Sequence, residues 1–262
     1  MRLSIQHRTR YVYETPLERG VQMVRLWPAP HAGLSVLRWD VRALGARMGR
    51  SFSDGLGNRC ALADLDAHAT STEIIVDGEV ETRETNARIE AAAEPLPPGY
   101  FLRVSPRTEP NAAIVALAAN LAGTRSEKAE ALMHAVRDRV AFRVGATDVE
   151  GVAADALSKG EGVCQDHAHL YCAAARTIGI PARYVSGYLF TGDAHSPAAH
   201  AWVEAHDGEA WLGLDPANRA RVSESYVRLA IGLDYRDAAP IVGARAGGGK
   251  ETLSVDVHVS VQ

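Results

Sequence analysis

Five prolines fall between residues 95 and 110, and they separate two kinds of hydrophobic pattern. Before them, apolar residues tend to alternate with polar ones, which is typical of half-buried strands. After them, apolar residues recur every three or four positions, which is typical of amphipathic helices. Because proline interrupts both kinds of element, we predict a β unit followed by a unit of mixed α and β structure.

The N-terminal unit is predicted to be a β-sandwich-like domain over residues 1–92. Its first strand is indicated by six residues on one face of a period-2 pattern: Leu3, Ile5, His7, Thr9, Tyr11 and Tyr13. A second alternating run contains Leu37, Trp39 and Val41. The dipeptide at residues 77–78, Asp-Gly, lies between two strand-like runs and predicts a hairpin turn.

The rest of the chain is divided into a proline-rich linker at 93–110, a second unit at 111–245 and a C-terminal strand at 246–262. Thr124 and Glu127 have the spacing of a capping box that starts a helix. Another helix is predicted from Cys164 to about residue 178, since Gly179 and then a proline follow it. Strands are predicted at 182–190, 199–206 and 210–215. The final strand alternates cleanly and fits the sheet of either unit.

Composition excludes several classes of function. The net charge of −4 argues against nucleic acid or an anionic membrane as a partner. No stretch approaches the roughly 20 apolar residues of a membrane span, and the first residues lack the apolar segment of a signal peptide. Three cysteines, an odd number, favour the reducing cytoplasm over a disulfide framework. No cofactor motif is evident, and the oligomeric state is left open.

Cys164 is the first candidate for chemistry. Glycines at 160 and 162 precede it, and it falls in the first turn of a predicted helix. Free N–H groups and the positive end of the helix dipole favour a thiolate there. Taken alone, the residue fits a small buried hydrophobe equally well, as Cys60 and Cys172 do.

His200 and Asp215 supply the other parts of a nucleophilic triad. His200 starts one predicted strand and Asp215 ends the next, and residues 206–209 form the turn between them. Counting back from that turn places the two residues opposite each other at the same depth, which lets a carboxylate orient an imidazole. Each residue alone has an ordinary alternative, a strand histidine or a turn-forming Asp-Pro.

Other residues near these motifs have weaker claims. His195 lies in a loop just before His200 and is a candidate for the rim of a substrate pocket. Trp202 is a candidate for its border, although packing explains this residue equally well. His167 and His169 raise the possibility of a metal site, but residues two apart on a helix point to different sides, so no metal is predicted.

Taken together, these motifs resemble the transglutaminase-like superfamily, cysteine acyltransferases and peptidases with a papain-like core. The matching segments of the second unit are GVCQD at 162–166, GIPARYVSGY at 179–188, HAWVE at 200–204 and WLGLDPAN at 211–218. The resemblance extends to the bacterial transglutaminase-like N-terminal region through Tyr11, Tyr13, Arg25, Pro28 and DGLGN at 54–58, and to a family-like ending, IGLDYRDAAP at 231–240.

The resemblance implies that Cys164 is the nucleophile, His200 the general base and acid, and Asp215 the orienting carboxylate. It also places Gln165 and His167 at the substrate pocket, with His167 standing where phenylalanine is common. The implied substrate is a peptide or protein amide, and the preferred reaction is hydrolysis through an acyl-thioester. Acyl transfer to an amine, and a non-catalytic binding module on the same fold, are the alternatives.

Overall fold

The computed structural model describes residues 1–90, 94–145, 151–192 and 198–262. The strands within these ranges are β1 (Arg2–Tyr13), β2 (Leu17–Val24), β3 (Leu34–Leu44), β4 (Ala46–Met48), β5 (Phe52–Ser53), β6 (Arg59–Leu65), β7 (Ser71–Thr82), β8 (Arg88–Ile89), β9 (Ala141–Phe142), β10 (Glu161–Gly162), β11 (Ala182–Leu189), β12 (Ala199–His206), β13 (Trp211–Asp215), β14 (Ala220–Arg221), β15 (Tyr226–Gly232), β16 (Ile241–Gly247) and β17 (Glu251–Val261). The helices are α1 (Ala112–Ala119), α2 (Arg125–Arg139), α3 (Ala153–Lys159), α4 (Cys164–Thr177) and α5 (Tyr235–Ala238), with 3₁₀ turns at Pro98–Leu102 and Pro106–Thr108.

Two sheets pack face to face in the N-terminal unit. One has the strand order β17-β1-β7-β3 and the other has the order β16-β2-β6-β4, with β5 beside β6. Alternation places Leu3 and Ile5 of β1 inward, where they share a core with Val24 and Ala61 of the facing sheet. The predicted α+β class with N-terminal sheets is confirmed.

The C-terminal residues complete both of these sheets. Strand β16 pairs with β2, and β17 pairs with β1 from Leu3 opposite Val261 to Tyr13 opposite Glu251. The predicted strand at 246–262 therefore joins the first sheet, while the predicted boundary at residue 245 falls inside β16.

The predicted hairpin at Asp77-Gly78 is wrong, because β7 runs unbroken from Ser71 to Thr82. Gly78 does not adopt a positive φ. It lies under the ring of Trp39, where an added Cβ would come within 2.1 Å of the indole Cε3. Glycine is needed at this position because any side chain would collide with the indole ring that crosses the strand. The Asp-Gly pair therefore lies within a strand and forms no turn.

A bulge also interrupts the predicted alternation of β3. The register of β3 against β7 shifts between Val36 and Arg38, which leaves Leu37 half exposed. Trp39 and Val41 beyond the bulge turn toward the core. One extra residue is enough to put Leu37 on the opposite face from the other two.

The second unit is built on the sheet β14-β13-β12-β11-β15, with β8 added beside β13. Helix α4 lies across one face of this sheet and is buried along almost its whole length. It ends as predicted, with a cap at Ile178 and Gly179 at φ +74°. The predicted capping box of α2 is also present, since Thr124 and Glu127 exchange hydrogen bonds.

The two units share a core where their sheets meet. Tyr188 of β11 and Val227 and Leu229 of β15 pack into the sandwich. The His7 ring of β1 hydrogen-bonds the Tyr188 hydroxyl, with 2.7 Å between Nδ1 and the oxygen. The sandwich is thereby held beside the first turn of α4.

Within the described ranges, no helix has both the length and the apolar character that crossing a bilayer requires.

Candidate active site

Cys164 is positioned by a tight cap at the start of α4. The Asp166 carboxylate accepts a hydrogen bond from the Val163 N–H at 2.8 Å. A Cβ on Gly162 would lie 2.8 Å from the Asp166 Cβ, so glycine is the residue that lets this cap close. The cysteine that follows has no intrahelical acceptor for its own N–H, and its thiol lies at the positive end of the helix.

Cys164 differs from the other two cysteines in exposure. Its side chain is half buried, whereas Cys60 and Cys172 are fully buried. Burial raises the pKa of the Cys172 thiol to about 11. Burial, with the nearby Asp54, raises the pKa of Cys60 to about 11 as well. These two thiols stay protonated and inert at neutral pH.

The carboxylate of Asp215 is fully buried, and one of its oxygens accepts hydrogen bonds from three donors. Its Oδ2 lies 2.7 Å from His200 Nε2, 2.7 Å from Asn218 Nδ2 and 2.8 Å from the Tyr226 hydroxyl. Burial by itself raises the pKa of this carboxyl, but the hydrogen bonds, led by the one from His200, outweigh burial and lower it. Asp215 is therefore an anion at neutral pH.

His200 links this carboxylate to the cysteine. Its Nε2 is hydrogen-bonded to Asp215, and the ring also interacts with the Cys164 side chain, which lines the same cleft. Burial lowers the pKa of the imidazole, while the bonds to Asp215 and Cys164 raise it, and the net result is about 10. The imidazole is therefore protonated at neutral pH, which is the form that stabilises a neighbouring thiolate.

The predicted register of the hairpin is wrong by two residues. Val203 lies opposite Leu214 and His206 opposite Trp211, so this register places Asp215 across from Trp202 instead of His200. The turn is longer than predicted because the Asp207 carboxylate accepts bonds from the N–H groups of residues 209 and 210, both at 2.8 Å. An offset of two keeps both side chains on the same face of the sheet, so the imidazole reaches the carboxylate diagonally.

Cys164 and His200 open into a cleft of about 350 Å³ that both units line. The second unit contributes Gln165, Tyr184, Ser186, Gly187, Ala199, Ala201, Tyr235 and Pro240. The sandwich contributes His7, Thr9 and Tyr11 of β1, Ile241 of β16, and Leu253 and Val255 of β17. The N-terminal unit therefore forms one wall of the cleft.

Of the three predicted pocket residues that the structure describes, only Gln165 lines this cleft. His195 lies outside the described residues. Trp202 is buried beneath the site, with its ring stacked 6.4 Å from that of His200 and edge-on to Tyr226 at 5.3 Å. It shields the bond between His200 and Asp215 from water, which strengthens an electrostatic contact.

His167 does not line the cleft either. Its ring is fully buried, with Nδ1 2.8 Å from the Val163 carbonyl oxygen and Nε2 2.9 Å from the Val140 carbonyl oxygen. It fastens the first turn of α4 to the end of α2, which is a structural position. His169 points elsewhere, with Nε2 accepting the Tyr235 N–H. No cluster of metal-ligating side chains is found among the residues that the structure describes.

Two groups of functional residues were missed in the sequence. Asn218 and Tyr226 hold Asp215, and the spacing Asp215-Pro-Ala-Asn218 is a local signal for the first of them, since a carboxylate readily accepts a bond from the residue three positions on. No local signal exists for Tyr226 or for the sandwich residues, because tertiary structure alone brings them to the site.

Comparison with known proteins agrees with this geometry. The model of the transglutaminase-like superfamily matches residues 115–216, and that of the bacterial transglutaminase-like N-terminal region matches residues 3–81. The uncharacterized protein ML0607 of Mycobacterium leprae is 30% identical over 99% of this chain and 98% of its own length. The uncharacterized protein Rv2569c of Mycobacterium tuberculosis is 36% identical over 46% of this chain and 42% of its own.

The same fold occurs in a solved structure. The putative cysteine protease from Cytophaga hutchinsonii superposes with a TM-score of 0.80 at 20% identity, covering 99% of this chain and 90% of that one. The N-terminal sandwich and the helix-on-sheet core therefore recur together as one architecture.

Proposed function

This chain belongs to the transglutaminase-like superfamily, and from that premise we propose that it is a cysteine-dependent amide hydrolase acting through an acyl-thioester on Cys164. The observation that carries the proposal is the arrangement of Cys164 at the start of a buried helix, His200 interacting with it, and Asp215 hydrogen-bonded to His200. A nucleophile, a base and a group that orients the base are the parts that acyl chemistry requires.

The first half of the reaction forms the thioester. The Cys164 thiolate attacks the carbonyl carbon of an amide, and the carbonyl oxygen becomes an oxyanion near the N–H groups of the first turn of α4. The His200 imidazolium then gives its proton to the leaving nitrogen as the C–N bond breaks. Asp215 keeps the ring oriented and stabilises its charge throughout.

The second half releases the acid. His200, now neutral, takes a proton from a water molecule as that water attacks the thioester carbonyl. Collapse of the second oxyanion breaks the C–S bond, which frees the carboxylic acid and restores the pair of thiolate and imidazolium.

Water is the preferred acceptor over an amine because of the charges in the cleft. Among the described lining residues, none is an aspartate or a glutamate. An acceptor such as a lysine side chain arrives as an ammonium ion at neutral pH and finds no carboxylate to bind it. Acyl transfer to an amine is the alternative outcome, and a non-catalytic binding module is the third.

Two measurements test the proposal. Iodoacetamide at pH near 6, read by mass spectrometry, should label Cys164 much faster than Cys60 or Cys172, and equal rates contradict an activated thiolate. A peptide panel incubated with and without a primary amine then separates the reactions. Free acid in both samples supports hydrolysis, and amine adducts in excess overturn it. Lack of turnover, with Cys164→Ala behaving as wild type, identifies a binding module.

A further inference from the structure

The wall that the sandwich gives to the cleft is apolar and uncovered. Leu253 is 53% exposed and Val255 is 52% exposed, although both lie on a strand of a packed sheet. Tyr11 stands beside them, directly across from Leu253 in the register of β1 and β17. Together these three side chains form what we call the apolar wall, and all three line the cleft that holds Cys164.

The position of the apolar wall on its strand explains the exposure. Leu253, Val255 and Val259 share one face of β17, and Val259 at 8% exposure packs into the sandwich core. Toward residue 253 the same face extends beyond the core and fronts the active site. Water-exposed apolar area next to a reactive thiol is a feature of binding sites, because covering it with a ligand removes that area from water.

Apart from the His200 imidazolium, the described lining of the cleft offers no charged partner to a substrate side chain. None of the described residues lining it carries a carboxylate, an amine or a guanidinium. The histidine of the sandwich side, His7, is held between two hydroxyl groups, with Nδ1 2.7 Å from the Tyr188 oxygen and Nε2 2.7 Å from the Thr9 oxygen. Its burial lowers its pKa to about 4, so it is neutral when the enzyme works.

We propose that the substrate carries an uncharged, apolar side chain of the size of leucine or phenylalanine at one of the two residues that precede the bond Cys164 attacks, and that this side chain packs on the apolar wall. The inference rests on the proposed function and adds the substrate class to it. A glutamate or lysine side chain in the same place loses its hydration and gains no partner, which costs binding energy.

Peptidyl chloromethyl ketones test this selectivity directly. In these probes the thiolate sulfur forms a bond to the methylene carbon and chloride leaves, so only one turnover is needed. Probes with leucine, phenylalanine, glutamate or lysine at either of the two positions before the ketone, and alanine elsewhere, are compared by their second-order rates of Cys164 alkylation. We expect leucine and phenylalanine to react at least about 10-fold faster than glutamate and lysine in one of these positions.

A matched pair of variants assigns the selectivity to the apolar wall. Leu253→Lys puts an ammonium group in the cleft and should reduce the preference for leucine over glutamate about 10-fold or more. Val261→Lys is the control, since Val261 lies on the same face of the same strand at 50% exposure and away from the cleft. It should leave the preference unchanged, and a loss in both variants overturns the role of the apolar wall.

Failure of the inference and failure of the proposed function give different results. If iodoacetamide labels Cys164 selectively while all peptidyl probes react at equal rates, the cleft does not select apolar side chains, and the proposed thiolate chemistry stands. If iodoacetamide shows no selectivity for Cys164, the proposed function itself is contradicted.

Discussion

The cleft has a buried histidine in each of its two walls, and their pKa values move in opposite directions. On the side of the second unit, bonds to Asp215 and Cys164 overcome burial and raise the pKa of His200 to about 10. On the sandwich side, burial lowers the pKa of His7 to about 4, and its hydrogen bonds go only to hydroxyl groups. Both rings line the same cleft.

The difference shows how one buried carboxylate divides the cleft into a charged wall and a neutral wall. The Asp215 carboxylate lies 2.7 Å from His200. The carboxylate that raises the pKa of His7 belongs to Asp256, which is an exposed residue, and it only partly offsets the lowering of that pKa by burial. The same residue type therefore carries a charge on one side of the cleft and packs as a neutral ring on the other. Four predictions test this difference between the two walls.

Asp215→Asn should have the largest effect, because it gives His200 a neutral environment like that of His7. We expect turnover of a peptide amide to fall about 10⁴-fold, since the imidazole loses both its orientation and its charge partner. The NMR titration of the His200 ring should move down from about 10. Asp256→Asn is the control beside the other histidine and should leave turnover unchanged; similar losses in both variants contradict the comparison.

His200 should make the protein less stable in alkali. Its pKa is about 10 in the folded protein and 6.5 as the reference value, so its contribution is complete below 6.5 and is lost as pH rises through about 10. Within that window the free energy of unfolding should decrease by up to about 1.4 kcal/mol per pH unit from this group. Urea unfolding of wild type and His200→Gln checks it, and parallel curves between pH 7 and 10 would refute it.

His7 should have the opposite effect in acid. Its pKa falls from 6.5 to about 4 on folding, so the unfolded chain binds its proton first, and stability is lost as pH drops from 6.5 toward 4. His7→Gln keeps a neutral hydrogen-bonding side chain and should flatten the acid limb of the stability curve. Urea unfolding between pH 4 and 7 measures it. An acid limb as steep in the variant as in wild type would rule out a buried neutral His7.

Tyr226→Phe should have the smallest effect, because it removes one of the three donors to the Asp215 oxygen. A hydrogen bond to a charged group contributes about 1.5–3 kcal/mol. If all of it is lost from the transition state, kcat should fall about 10-fold to 100-fold. Tyr188→Phe removes the hydroxyl next to His7 and is the matched control. A greater fall in kcat for Tyr188→Phe than for Tyr226→Phe would contradict the prediction that turnover depends on the wall with His200 and not on the wall with His7.

The sequence was most informative where signals are local. The cap of α2, the start and end of α4, and the strands that carry His200 and Asp215 follow from residues a few positions apart. The errors have identifiable causes. Gly78 resembles a turn residue but makes room for Trp39, and the Asp207 turn is longer than its composition suggested. The contact of Gly78 with Trp39 joins two segments and cannot be read from either alone, whereas the Asp207 turn is local and its length was misjudged.

The cleft itself was the least predictable part. Apart from Gln165, its walls come from residues far apart in sequence, with Tyr11 and Leu253 meeting only because β1 and β17 pair. The pattern predicts both strands and their inward faces. It does not say how far each face extends beyond the core, and that extent is what brings the apolar wall into the lining of the cleft.

The pairing of β1 with β17 has a consequence for the order in which the protein is made. Strand β1 leaves the ribosome well before its partner, residues Glu251–Val261, because residues 14–250 lie between them. During synthesis the residues of the thiol, the imidazole and the carboxylate are all present before the sheet that walls their cleft can close. A nascent chain therefore contains Cys164, His200 and Asp215 before Leu253 and Val255 of β17 can take their places in the wall of the cleft.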